Sequence, residues 1–370
     1  MFRKKWHILI GLLAMLVVLR IIGVAPGQIL RRRLEQRREE RQNQAAANAT
    51  VSPRGAASCG SELNLGFHLQ TFSTGLRAAV WYPAKQAEAS FHYADGLLSA
   101  LAENAPAADC GEYPMVVFSH GFGGCGTQSV FFTEALARAG YIVVAPDHQD
   151  AGCKVDQPRE RGLLLHRAEE PFRRPGKWDD STYRDRRQDI EIVLNEMPDD
   201  PLVGRSLDRA HIGGAGHSLG GYTIAGLSGA WPSWKDSRIK ASLLLSPYIK
   251  PYSDKATLRS MNVPVMYQGG TRDITITPSV ARTGGAYAQS NPPKFFVEFF
   301  DAGHLGWTVL TCKPYGSAPG CDEQAPLARL INQYGIAFFD RYLKGRPAEI
   351  LDRPNRQLAD FRYDETRHSD

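Results

Sequence analysis

The chain carries a series of short, wholly apolar runs, each ending in small or polar residues and set apart by segments with a helical period. Residues 115–119 (MVVFS) and 141–146 (YIVVAP) are two such runs. Apolar stretches of this length read as strands buried on both faces, as in a parallel sheet. Between them, residues 128–139 predict a helix stopped by Gly140. The alternation continues. Residues 210–215 run into a glycine-rich bend and then a helix of small and apolar residues, and 241–245, 263–268 and 294–300 follow as further strands, the last taken to close the sheet. Thr182 and Asp185 are spaced to cap a helix that places Ile190, Val193, Leu194 and Met197 on one face. Residues 278–289 predict another helix, and Leu327, Leu330, Ile331, Tyr334, Phe338 and Tyr342 mark a closing one that ends at Gly345. Two opening strands, 63–72 and 76–82, are joined by a turn at 73–75, whereas 84–113 reads as irregular. Strands alternating with helices define a doubly wound α/β domain.

The amino-terminal pattern is different. Arg3, Lys4 and Lys5 precede an apolar stretch over residues 8–25 that is interrupted by Arg20. A basic head followed by an apolar helix reads as an export signal or a single-span anchor. Pro26 makes the small-residue site at 25–27 a poor one for cleavage, which favours the anchor. Residues 28–57 are a charged segment and then an Ala-, Asn- and Ser-rich linker, leaving 58–370 as the folded domain. Within it, 150–180 has no clear period and carries seven basic and seven acidic side chains. A loop this long in a compact domain is usually functional, and it is read as a lid above a site.

Composition fits a globular protein, with 370 residues that are 43% hydrophobic and 22% charged. The net charge of +5 suggests nucleic acid only until its position is counted. Residues 1–44 hold ten Lys or Arg against three Glu, so the rest of the chain is slightly acidic. The domain therefore has no basic field for nucleic acid, and the expected partners are a small-molecule or lipid ester and, through residues 8–25, a membrane. The six cysteines form no C-x-x-C pair, which argues against zinc. Cys312 and Cys321 bracket a Gly- and Pro-rich loop, and Cys125 and Cys153 fall just beyond two strands expected to be neighbours, so these are the candidate disulfides. Such pairs behind an export-like leader imply a periplasmic or extracellular location.

The chemistry centres on GHSLG at 216–220, a strand, a tight bend and a helix that together present Ser218 at a sheet edge. Around it lie FSHGFGG at 118–124, GGTRD at 269–273, AGH at 302–304 and FFDRYLKG at 338–345. In this order the pieces resemble an α/β-hydrolase over about residues 62–345. Within that superfamily they are similar to the dienelactone-hydrolase-like and platelet-activating-factor-acetylhydrolase-like serine esterases.

The resemblance implies a mostly parallel sheet flanked by helices, no cofactor or metal, and hydrolysis of carboxylic esters through an acyl-enzyme. Ser218 is the nucleophile it implies, His304 the base and Asp273 the acid that orients the base, with Asp301 and Asp254 as rivals for the last role. It places the oxyanion donors at the backbone N–H groups of Phe122 and Leu219. His120 and Trp307 are candidate substrate-binding residues, with core packing as the alternative. Dienelactone hydrolases proper use a cysteine, and Ser218 argues against dienelactone as the substrate. A phospholipid acyl hydrolase and a catalytically silent binding module of the same fold are the alternative readings.

Overall fold

A computed structural model of the chain describes residues 63–157 and 170–365. The expected apolar helix at 8–25, the linker and Cys59 lie outside the described residues. No helix among the described residues is long and apolar enough to cross a membrane.

Side chains alternate in direction along a strand, so an apolar run fills two cores at once. In β5 (Tyr113–Ser119), Val116 and Phe118 enter one core while Met115 and Val117 enter the other. The first core is closed by α1 (Val130–Arg138) and a long carboxy-terminal helix, α4 (Pro326–Leu343), through Phe131, Leu136, Ile331 and Phe338. The second is closed by α2 (Arg184–Glu196) and α3 (Leu219–Ala225), through Ile190, Val193 and Ile224. Each such buried side chain contributes about 1.5–3 kcal/mol relative to exposure. The result is the three-layer α/β sandwich expected of a doubly wound sheet.

Among the described residues the sheet has 11 strands, numbered along the chain and in the order β11-β10-β9-β8-β7-β5-β6-β2-β1-β4-β3. Its centre is parallel and comprises β6 (Ile142–Pro146), β5, β7 (Leu207–His217), β8 (Ile239–Leu245), β9 (Val265–Gly270) and β10 (Lys294–Phe299). β1 (Asn64–Thr71) and β2 (Arg77–Ala84) form the antiparallel opening pair. From β5 the chain moves to β6 on one side and then returns to β7 on the other. Such a reversal opens a crevice at the carboxyl ends of the strands.

Four sequence expectations are corrected. Residues 84–113 contain β3 (Ala89–His92) and β4 (Leu98–Glu103), with β4 paired parallel to β1. Most of β3 is exposed, so it shows little hydrophobic alternation. Residues 278–289 are two short helices, Thr277–Ala281 and Ala286–Gln289, separated where Gly284 takes a positive φ of 71°. β10 is not the last strand, because β11 (Leu358–Asp364) adds antiparallel beside it. Thr182 does not cap α2. Tyr183 precedes that helix in the left-handed region, and the Thr182 hydroxyl accepts from the Asp179 N–H instead.

Both candidate disulfides are formed, Cys125–Cys153 and Cys312–Cys321. Such bridges suit a protein of an oxidising, extracellular or periplasmic compartment.

Candidate active site

β7 delivers Ser218 at a sharp elbow, φ 54° and ψ −115°, before α3 begins at Leu219. This conformation is costly for a residue with a side chain, so the surroundings must hold it. The Ser218 N–H donates to the Leu245 carbonyl (3.0 Å), and its own carbonyl accepts from the Tyr248 N–H (2.8 Å). Close approach explains two glycines. A Cβ at Gly216 would strike the Gly220 carbonyl, and one at Gly220 would strike the Ser119 carbonyl at the end of β5.

Three neighbouring strand ends supply the remaining groups. His304 follows β10, Asp273 follows β9 and Ser246 follows β8. The His304 Nε2 lies 3.0 Å from the Ser218 Oγ, and its Nδ1 lies 3.2 Å from the Asp273 Oδ2 and 2.8 Å from the Ser246 Oγ. The Ser246 hydroxyl donates to the same Asp273 oxygen. One Nδ1–H is thus shared between a carboxylate and a hydroxyl that is itself bound to that carboxylate. Asp273 is 2% exposed. Burial alone pushes its pKa up, but hydrogen bonds from His304 and Ser246 outweigh it and hold the carboxyl below its ordinary value. Asp301 is exposed and paired with Arg272 at 2.8 Å, and Asp254 is paired with Lys250 at 3.0 Å.

The glycine-rich turn after β5 faces the elbow. It closes through a hydrogen bond from the Gly124 N–H to the Gly121 carbonyl (2.9 Å), with Gly123 at φ 63°. The Phe122 N–H shares a peptide plane with that carbonyl, so pinning the oxygen sets the opposite direction of the N–H. Leu219 occupies the first position of α3, where a helix leaves its own N–H without an intrahelical partner.

Beneath the turn lies a buried polar brace that the sequence did not announce. The Arg186 guanidinium donates to the His120 carbonyl (2.7 Å) and pairs in a forked manner with Asp150 (3.0 and 2.8 Å). His148 bridges the Ser119 Oγ and Asp189, 2.8 Å from each. Ser119, His148 and Asp189 mimic a triad, yet all three are buried and none lines the cavity described below.

The candidate substrate-binding residues His120 and Trp307 are both wholly buried, and neither lines the cavity. The His120 Nδ1–H donates to the Gly121 carbonyl (2.7 Å), and its Nε2 accepts from the His148 N–H (3.0 Å). The Trp307 Nε1–H is used by the Gln268 side chain (2.9 Å). In both cases the side chain's polar atoms are satisfied internally. Sequence reasoning also missed Ser246, although its position at the end of a predicted strand was a usable signal.

A cavity of about 570 Å³ opens over Ser218 and His304. Its walls include Phe122, Phe172, Leu305, Val309, Leu310 and the Cys125–Cys153 bridge. Phe172, Cys153 and Gln157 belong to the segment expected to form a lid. The volume suits a small ligand. Among the described residues no cluster of side chains could hold a metal ion.

The chain belongs to the alpha/beta hydrolase family, whose sequence model matches residues 116–366. A second model, that of platelet-activating factor acetylhydrolase, isoform II, matches residues 69–159. Among solved structures the fold is similar to a ferulic acid esterase from Streptomyces cinnamoneus, with a TM-score of 0.58 and 22% identity over 82% of this chain and 97% of that one. No curated protein matches the chain.

Proposed function

We propose that the protein is a serine esterase that cleaves carboxylic esters of short to medium acyl length through an acyl-enzyme. The observation that carries this reading is the continuous set of contacts from the Ser218 Oγ through His304 to Asp273 at the mouth of the cavity. In the first step the Ser218 Oγ attacks the ester carbon and His304 Nε2 takes its proton. Asp273, with Ser246, keeps the other ring nitrogen protonated and stabilises the imidazolium that forms. The oxygen of the tetrahedral intermediate is held by the N–H groups of Phe122 and Leu219, each worth about 3–4 kcal/mol by the scale of other oxyanion holes. His304 then protonates the leaving alcohol. Water, activated by the same imidazole, releases the acid and restores Ser218.

The test is turnover of p-nitrophenyl acetate and butyrate by the full chain, with fluorophosphonate labelling at Ser218. Ser218→Ala should abolish both. An active, labelled Ser218→Ala protein contradicts the assignment.

One observation favours a lipid ester as the substrate. Leu305 and Leu310 line the cavity yet are 51% and 43% exposed, an apolar rim suited to an acyl chain. A phospholipid acyl hydrolase of the platelet-activating factor acetylhydrolase type, held at an outer membrane face by residues 8–25, is therefore the second reading. It requires activity that rises when a short-chain phospholipid passes from monomer to micelle.

A further inference from the structure

A chain of hydrogen bonds with fixed polarity runs across the floor of the cavity, joining the glycine-rich turn to the backbone of His304. The Gly121 N–H donates to the Gln128 Oε1 (3.0 Å). The Gln128 Nε2 lies 3.0 Å from the His217 Nδ1, and the His217 Nε2 lies 2.8 Å from the His304 carbonyl oxygen. The ends decide the middle. A backbone N–H can only donate and a carbonyl can only accept, so the amide must present its oxygen to Gly121 and its NH2 to His217. His217 must then be the neutral tautomer with its proton on Nε2.

Other observations support the same arrangement. Burial, followed by the nearby His304, pulls the His217 pKa down to about 3, so the ring is neutral wherever the protein is folded and working. Its ring stacks on Trp307, with an interplanar angle of 22°. A parallel strut runs from Ser129, whose hydroxyl donates to the Trp307 carbonyl (2.6 Å). Space is reserved for the amide as well, since a Cβ at Gly124 would collide with the Gln128 Oε1.

We propose that Gln128 and His217 are positioning residues that hold the oxyanion turn and the general base in register with each other. This rests on the esterase reading above. Gly121 immediately precedes the Phe122 amide, and the His304 carbonyl belongs to the residue whose ring must reach Ser218. A shift of either end misplaces one half of the machinery relative to the other, and misplacement of about 1 Å costs on the order of a hundredfold in rate. Neither side chain takes part in bond making. The conserved quantity is geometry in the transition state, so the effect falls on kcat rather than on KM.

The experiment combines kinetics with histidine tautomers. Full-length protein carrying 15N-labelled histidine is examined by long-range 1H–15N correlation near pH 7.5, with His217 assigned by the signal lost in His217→Asn. The expected wild-type pattern is a protonated Nε2 and a bare Nδ1. In Gln128→Glu the carboxylate still accepts from Gly121 but has no proton to offer, so His217 should become protonated at Nδ1. For Gln128→Ala and Gln128→Glu, kcat on p-nitrophenyl butyrate should fall about ten- to a hundredfold, less than the ~10²–10³ lost with an oxyanion donor itself. KM should stay within about threefold, since ground-state binding is little changed. A wild-type His217 protonated at Nδ1, or an active wild type whose Gln128 variants keep kcat within about twofold, overturns the proposal and leaves the esterase reading intact. A wild type with the expected tautomer that hydrolyses none of the esters sinks the esterase reading, and the proposed effect on rate with it.

Discussion

The Ser246 Oγ lies 2.8 Å from the His304 Nδ1 and donates its own proton to Asp273, so the imidazole is held by a hydroxyl and a carboxylate together. Ser246 itself has a positive φ of 42°, a conformation disfavoured for serine that points to the demands of this junction. Hydrogen bonds to charged groups are worth about 1.5–3 kcal/mol. Ser246→Ala should therefore lower kcat on p-nitrophenyl butyrate by roughly ten- to a hundredfold while Ser218 still reacts with fluorophosphonate. An unchanged kcat removes Ser246 from the apparatus.

The choice among carboxylates is tested directly by two substitutions. Asp273→Asn should reduce kcat by about 10⁴, the scale seen when an orienting carboxylate is replaced in other triads. Asp301→Asn should leave kcat within about twofold, because Asp301 is exposed and bound to Arg272. Surface ion pairs of that kind contribute only about 0–1 kcal/mol, so thermal stability should also hardly move. The reverse ranking of the two variants transfers the role to Asp301.

The Cys125–Cys153 and Cys312–Cys321 disulfides should differ in worth. Cys125–Cys153 closes a span of 28 residues and Cys312–Cys321 one of 9. By the chain-entropy scale these restrict the unfolded chain by about 3.6 and 2.6 kcal/mol. Removal of the first bridge by paired Cys→Ser substitutions should lower the thermal midpoint more than removal of the second. It should also depress activity, because that bridge follows the glycine-rich turn and lines the cavity. Equal midpoints for the two double variants contradict the ordering.

Glu134 supplies a pH test away from the site. It is buried in α1, where it meets the Tyr93 hydroxyl at 2.6 Å, and desolvation pushes its pKa up from 4.5 to about 7. A carboxyl raised on folding binds its proton more tightly in the native state. Between about pH 4.5 and 7 the native chain therefore holds more protons than the unfolded one, and stability falls as pH rises through that window. The contribution is about 2–3 kcal/mol from this group. Glu134→Gln should gain stability relative to wild type as pH increases from 5 to 8, read as the difference in urea midpoint. A pH-independent difference argues against the raised pKa.

Much of this molecule is legible before folding because the signals are local. Short, largely apolar runs at 115–119, 241–245 and 263–268 read as strands buried on both faces, and the Gly216 to Gly220 bend follows from close approach along neighbouring residues. The order of Ser218, Asp273 and His304 along the chain, each after its own strand, was likewise readable and the fold brings them within hydrogen-bond reach. What tertiary structure alone decided are relations between residues far apart in sequence whose types carry no pattern of their own. Arg186 under the glycine-rich turn, Gln128 against His217 and Ser246 against His304 are contacts between elements far apart in the chain, made only when helices and strand ends are assembled around the sheet. The same holds for His120 and Trp307, which chain position sets beside the site and which side-chain direction turns into the core. Hydrophobic periodicity reports which face of an element is buried, but it says nothing of which polar groups will meet once those faces close, because pairing depends on the sheet order and register that packing selects.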